Sequence, residues 1–116
     1  MKKIAIYGAG GFGREVVTLI NDINKINPQY QVIGFFDDGI SKGTDVNGLS
    51  ALGGINELNN VKEEVSVVLA IGNPETKKSI LKKITNRLVD FPTIIHPSVM
   101  IGDRNWVSIG KGCIIC

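Results

Sequence analysis

The sequence predicts an α/β fold: a small Rossmann-like parallel sheet flanked by helices, followed by the first turn of a truncated left-handed parallel β-helix. Three observations lead to it. A glycine-rich turn, Gly8-Ala9-Gly10-Gly11-Phe12-Gly13, joins an apolar strand to an amphipathic helix. Two further apolar strands follow at β-α-β spacing and end at Asp37-Asp38 and at Gly72-Asn73. From Ile94 onward the helical period is lost, and apolar residues return at intervals of six at Ile95, Ile101, Val107 and Cys113.

The elements follow in order. Lys2 to Tyr7 is a continuous apolar run rather than an alternating one, as expected of a strand buried on both faces of a parallel sheet. Val16, Leu19, Ile20 and Ile23 recur at helical spacing with Arg14, Glu15, Asn21 and Asp22 between them, predicting a helix over 13–24 that Asn27-Pro28 ends. Gln31 to Phe36 is the second strand, broken by Asp37-Asp38-Gly39. Residues 39–60, rich in Gly, Asn, Ser and Asp, read as a loop followed by a brief helix over 55–59. Val65 to Ile71, rich in β-branched residues, is the third strand. Gly72-Asn73-Pro74-Glu75 then signals a helix start, with Asn73 as cap, Pro74 at the first helical position and an acid in the first turn. That helix is predicted to run to Asn86, burying Ile80, Leu81 and Ile84 and exposing Lys77, Lys78, Lys82 and Lys83. Leu88 to Phe91 adds a last short strand, so residues 1–93 read as one domain.

Residues 94–116 read as the start of a β-helix, each six-residue side of a triangular coil pointing one apolar residue inward. Stacked coils bury one another's faces, so a single coil is not expected to stand alone, and the sequence reads as part of a longer protein. The pairs Ile101-Gly102 and Ile109-Gly110 are eight apart rather than six, which predicts a bulge around 104–106.

Composition excludes several function classes. The net charge of +2 comes from 13 basic and 11 acidic residues spread along 116 positions, without the basic stripe that tracks a nucleic acid backbone. The apolar run Ile4 to Tyr7 is too short for a signal peptide core or a membrane span, which predicts no membrane partner and a cytoplasmic protein. Cys113 and Cys116, the two cysteines, have the spacing of half a zinc site without a second pair, and no metal is expected. No Ser-His-Asp or paired-carboxylate arrangement suggests hydrolysis.

The chemistry centres on the glycine turn. In Gly8-x-Gly10-x-x-Gly13 each glycine has a physical use: a tight turn, close backbone approach to a phosphate, and close helix–strand packing. The helix behind it offers free N–H groups and the positive end of a dipole. Gly8, Gly10, Gly11, Phe12 and Gly13 are therefore candidate ligand-binding residues. Asp37 and Asp38 lie 24 and 25 residues after Gly13, near where a dinucleotide fold places its ribose-binding acid; paired acids also simply solvate a loop. Gly72 and Asn73 end the third strand on the same edge, Asn73 as a cap or also as a ligand contact. Arg14 either reaches a phosphate or projects into solvent, and His96 beside Pro97 reads as structural rather than catalytic. These features fit a phosphate- or nucleotide-binding site, whether in an NAD-binding oxidoreductase domain or in a non-catalytic subunit that senses a nucleotide-containing ligand such as a nucleotide-sugar.

The chain resembles the N-terminal part of the bacterial sugar acetyltransferases grouped with sialic acid O-acetyltransferase and the UDP-4-amino-sugar N-acetyltransferases. The resemblance rests on Ile6-Tyr7-Gly8-Ala9-Gly10-Gly11-Phe12-Gly13, Gly34-Phe35-Phe36-Asp37-Asp38, Asn47-Gly48, Leu52-Gly53-Gly54, Ala70-Ile71-Gly72-Asn73, Ile95-His96-Pro97-Ser98 and Ile109-Gly110-Lys111-Gly112, in that order. At Phe12 the chain departs from the polar residue that the family often carries. The resemblance implies a domain that holds a nucleotide-sugar, a UDP-sugar above all, joined to a β-helix that binds acetyl-CoA between subunits of a homotrimer. It implies phosphate contacts from the Gly10 to Gly13 backbone, nucleoside contacts at Asp37 and Asp38, and a pocket rim at Gly72 and Asn73. The family's catalytic histidine falls beyond Cys116, so the implied activity is acetyl transfer to an amine or hydroxyl of a sugar by a longer protein, with residues 1–116 binding substrate only.

Overall fold

The continuous apolar run of the first strand is buried on both sides, as its lack of alternation requires. In the computed structural model, which describes residues 1–95 and the short strand at 114–115, β1 (Lys2–Tyr7) sends Ile4 and Ile6 to one face and Ala5 and Tyr7 to the other. On the first face lies α1 (Gly11–Ile26), which buries Val16, Leu19, Ile20 and Ile23. It starts two residues earlier than the periodicity suggests, because Gly10 already serves as its N-cap, and it ends two residues later at Ile26, with Asn27 as its C-cap. The chain then turns into β2 (Tyr30–Phe36) through Asn24, whose side chain donates to the Tyr30 carbonyl and accepts from Gln29 and Tyr30 N–H.

Within the stretch expected to be a loop, β3 (Asp45–Val46) and β4 (Leu49–Ser50) form an antiparallel hairpin. Its two-residue turn places Asn47 at φ 51° and Gly48 at φ 86°, the positive pair that an Asn-Gly hairpin turn needs. The brief helix α2 (Ile55–Asn59) stands where expected. β5 (Val65–Leu69) stops two residues short of Ile71, although Ala70 N–H still donates to the Tyr7 carbonyl at 2.9 Å.

The next helix, α3 (Pro74–Lys83), is shorter than predicted for a nameable reason. The Asn59 side chain accepts from Thr85 N–H (2.9 Å) and Asn86 N–H (3.3 Å), while Asn86 donates to the Leu58 and Val61 carbonyls, drawing residues 85–86 out of the helix. Ile80 and Ile84, four apart, pack against the sheet as expected. Leu81, expected inside, is 46% exposed, because it lies about 100° around the helix from Ile80. The last sheet strand contracts to β6 (Val89–Asp90). Beyond it, β7 (Ile94–Ile95) pairs in parallel with β8 (Ile114–Ile115), Ile94 with Ile114 and Ile95 with Ile115. Ile94 is buried in the α1 face with Ile4, Ile6 and Val68. His96, the hexad positions Ile101, Val107 and Cys113, the bulge around 104–106 and the cysteine pair lie outside the described residues.

The main sheet is parallel in the order β2-β1-β5-β6. From β1 the chain first steps to one side to form β2, then crosses to the other side to form β5. That reversal opens a crevice at the carboxyl ends of β1 and β5, the place where open α/β sheets bind ligands. Among the described residues no helix is long and apolar enough to cross a membrane.

Candidate functional site

The glycines of the turn divide into two kinds. Gly8 has φ +110°, and a Cβ there would stand 2.7 Å from the Ala70 carbonyl oxygen; its N–H donates to the Phe36 carbonyl at 2.8 Å. Gly13 is where α1 meets β1: a Cβ there would stand 1.9 Å from the Gly8 carbonyl oxygen. At both positions the close approach of backbone leaves no room for a side chain. Gly10 and Gly11 face open space instead, with nothing within 4 Å of where a Cβ would be.

That open side is where the helix start is least satisfied. The first bond of the helix runs from Arg14 N–H to the Gly10 carbonyl at 3.1 Å, so the N–H groups of Gly11, Phe12 and Gly13 precede the ladder. Gly10 has no side chain to cap them, and the first turn of α1 carries no acid, whereas α2 and α3 carry Glu57 and Glu75 there. Free amides at the positive end of a 16-residue helix suit an anion.

Asp37 and Asp38 lie against this turn, and neither is simply a solvated loop acid. Asp37 accepts from Ala9 N–H (3.0 Å) and from Gly39 N–H (2.8 Å), tying the glycine turn to the end of β2. Asp38 accepts the Tyr7 hydroxyl on one oxygen and Ile55 N–H (3.0 Å) on the other, tying β1 to the start of α2. Those two donors, the hydroxyl first, hold the Asp38 carboxyl below its ordinary value of 3.8. Burial, with the Asp38 contact second, raises the Tyr7 phenol above its ordinary value of 10.0.

Two pH dependences follow. A carboxyl with a lowered folded value stabilises the fold above pH 3.8 and loses that contribution as pH falls further; a phenol with a raised folded value stabilises it below pH 10.0 and loses that contribution as pH rises. Asp38→Ala leaves the buried Tyr7 hydroxyl without its acceptor and is expected to cost about 1–2 kcal/mol in urea unfolding at pH 7. It should also flatten the loss of stability at low pH and reduce, without abolishing, the loss at high pH, where burial of the phenol remains; an unchanged profile would show that the pair does not act in this way.

On the third strand's edge, Gly72 is exposed with nothing within 4 Å of its Cβ position. Asn73 caps α3, its side-chain oxygen accepting from Glu75 N–H (2.9 Å) and Thr76 N–H (3.1 Å). Phe12, in the first turn of α1, is 40% exposed. The structure thus gathers the glycine turn, Asp37, Asp38, Gly72 and Asn73 at the carboxyl ends of β1, β2 and β5. Arg14 stands one turn into α1 and lines a cavity of about 170 Å³ with Val17, Thr18, Phe35, Val46, Asn47 and Leu49.

A larger cavity of about 450 Å³ opens at the opposite, amino end of the strands. Its charges are mostly matched: Lys2 pairs with Asp90 (3.3 Å), Lys3 pairs with Glu63 (2.6 Å), and the buried Ser66 hydroxyl donates to Asp90 (2.7 Å). It has no uncapped helix end and holds none of the predicted site residues. Among the described residues no group of three or more His, Cys, Asp or Glu side chains could hold a metal ion. Sequence reasoning missed Tyr7, which reads as one more apolar strand residue, and the β3–β4 hairpin, for which Asn47-Gly48 was the available signal.

Comparison with known proteins places this geometry. The family model described as the PglD N-terminal domain matches residues 3–84. UDP-N-acetylbacillosamine N-acetyltransferase of Bacillus subtilis (strain 168) is 29% identical over 119 residues, a match covering 99% of this chain and 51% of the relative. GDP-perosamine N-acetyltransferase of Escherichia coli O157:H7 is 29% identical over 115 residues, with coverage of 99% and 51%. Among solved structures, the acetyltransferase domain of PglB from Neisseria gonorrhoeae FA1090 in complex with acetyl coenzyme A matches with a TM-score of 0.74 and 28% identity, over 97% of this chain and 52% of that one. PerB from Caulobacter crescentus, in complex with CoA and GDP-perosamine, matches in fold with a TM-score of 0.75 at 19% identity, over 99% and 51%. The chain spans about half the length of the curated relatives it matches.

Proposed function

The chain belongs to the PglD N-terminal domain family, and from that premise we propose that it is the nucleotide-sugar-binding part of an acetyl-CoA-dependent sugar N-acetyltransferase of glycan biosynthesis. The observation that carries the reading is the uncapped start of α1, open above Gly10 and Gly11, at the strand-order reversal. The N–H groups of Gly11, Phe12 and Gly13 hold the diphosphate, Asp37 and Asp38 lie at the nucleoside end, and Gly72 and Asn73 form the rim. Both curated relatives are named as N-acetyltransferases, one of a UDP-sugar and one of a GDP-sugar, which favours an amine acceptor on a nucleoside diphosphate sugar. A UDP-sugar is the first candidate.

Acetyl-CoA supplies the activated acyl group in the whole protein, where the sugar amine attacks the thioester carbonyl and a general base takes the proton. In this reading the described residues bind and orient the acceptor, and the base is a histidine beyond Cys116. We divide the chain at 93/94, with residues 94–116 opening the left-handed β-helix that binds acetyl-CoA in a homotrimer. The register of β7 with β8 supports this: paired residues are twenty apart, which is three hexads plus the two extra residues between Ile101 and Ile109. A cytoplasmic site of action fits a reaction on soluble nucleotide-sugar and acetyl-CoA.

The test is an acetyl-transfer assay that follows CoA thiol release. Protein in which this chain is continued to the length of its relatives should acetylate a UDP-4-amino-sugar, whereas residues 1–116 alone should release none. Turnover by residues 1–116 would overturn the division of labour, and failure of the longer protein with both UDP- and GDP-amino-sugars would overturn the activity.

A further inference from the structure

We infer that Tyr7 is a positioning residue: its buried hydroxyl fixes the Asp38 carboxylate at the start of α2, so that Asp38, rather than Asp37, meets the ribose of the nucleotide. The inference rests on the reading that this site holds a nucleotide-sugar. The two acids are held differently. Asp37 is half-buried and has both oxygens on backbone, Oδ2 on Ala9 N–H and Oδ1 on Gly39 N–H, so it braces the glycine turn from within. Asp38 is exposed beside it. Its two bonds, from the Tyr7 hydroxyl and from Ile55 N–H, use about half of the acceptor sites that a carboxylate offers. It forms no ion pair among the described residues. A fixed, ionised and solvent-facing acceptor at the carboxyl end of β2 suits the hydroxyl donors of a ribose.

The carboxylate is seated from two sides. On one side, Tyr7 is 3% exposed and belongs to the cluster of Phe36, Leu58 and Leu69 on the sheet face opposite α1, which holds its ring in place. On the other stands Leu52-Gly53-Gly54. Leu52 N–H donates to the Phe35 carbonyl (2.6 Å) and the Gly53 carbonyl accepts from Asp37 N–H (2.8 Å), docking this segment along the end of β2. A Cβ on Gly54 would stand 2.0 Å from Asp38 Oδ1. The Gly54 backbone, at φ −107° and ψ −152°, is open to any residue, so it is the carboxylate that requires glycine there. Holding an exposed side chain on two sides removes rotamer freedom that a bound ligand would otherwise have to remove.

The test is calorimetric titration of residues 1–116 with UDP, GDP and their dideoxy forms, which keep base and phosphates but lack the ribose hydroxyls. The unmodified chain should bind its preferred diphosphate about tenfold more tightly than the dideoxy form, the size of one charge-assisted hydrogen bond. Tyr7→Phe keeps the ring in its cluster and removes the hydroxyl alone. It should lose most of that preference, weakening the diphosphate while leaving the dideoxy form unchanged. Gly54→Ala, which crowds the carboxylate without touching Tyr7, should give the same selective loss. Tyr30→Phe, which removes a phenol at the first residue of β2, should change nothing. A merely structural role would weaken both ligands alike. Equal loss for the two ligands in Tyr7→Phe and Gly54→Ala, no loss for either, or no preference for the diphosphate in the unmodified chain overturns the inference and leaves the nucleotide-sugar reading standing. Absence of diphosphate binding by the unmodified chain overturns that reading and the inference together.

Discussion

Gly13→Ala is expected to destabilise the fold by about 3 kcal/mol, at the upper end of what overpacking costs, even though it adds a single methyl group to a helix. The reason is the 1.9 Å that would separate the new Cβ from the Gly8 carbonyl oxygen. That oxygen cannot retreat easily, because Gly8 is held at φ +110° with its N–H on Phe36 and its Cβ position 2.7 Å from the Ala70 carbonyl. The helix must move instead, and with it Val16, Leu19, Ile20 and Ile23, which form much of the core on that face. Alanine's better helix propensity returns less than about 1 kcal/mol. Each kcal/mol is worth roughly 4–8 °C in a domain of this size, so the melting temperature should fall by more than about 10 °C. A change of a degree or two would mean that the helix–strand contact is looser than described.

Gly10→Val should do the opposite, leaving the fold intact while abolishing most nucleotide binding. Gly10 has φ −76° and ψ −166°, an extended conformation that valine favours, and its Cβ position meets nothing within 4 Å. The melting temperature should therefore stay within a few degrees of the unmodified chain. The isopropyl group fills the space that the phosphates need in order to reach the amides of Gly11, Phe12 and Gly13. Affinity for a nucleoside diphosphate should fall by ten- to a hundredfold, the cost of forcing one to three kcal/mol of overlap. The two variants separate the roles of one motif: Gly13 builds the turn, and Gly10 keeps it accessible. If Gly10→Val binds normally, the ligand does not sit over the turn.

How far such a site can be read from sequence depends on how local its causes are. The glycine turn, the Asn73 cap with Pro74 behind it, and the buried strand Ile4 to Tyr7 are set by neighbours a few residues away, and they stand where the residues suggested. Nine residues named as ligand-binding come together at one edge of the sheet because all follow strands that run parallel. What Asp37 and Asp38 do within the fold was not legible. Their partners Ala9, Tyr7 and Ile55 lie 28, 31 and 17 residues away, and the contacts exist only once β2 pairs with β1 and α2 docks beside them. Likewise, α3 ends early because Asn59, on another helix, competes for the N–H groups of Thr85 and Asn86. The β3–β4 hairpin is a different case: its turn chemistry was visible in Asn47-Gly48, but two-residue strands offer too little alternation to be noticed.

The central claim is that the open glycine turn holds a nucleotide-sugar, and calorimetric titration of residues 1–116 with a UDP-amino-sugar, a GDP-amino-sugar and NADH tests it most directly. Saturable one-to-one binding of one of the two nucleotide-sugars, lost in Gly10→Val and much weaker or absent for NADH, is the predicted result. Clear preference for NADH, or nucleotide-sugar binding that Gly10→Val leaves untouched, would contradict it.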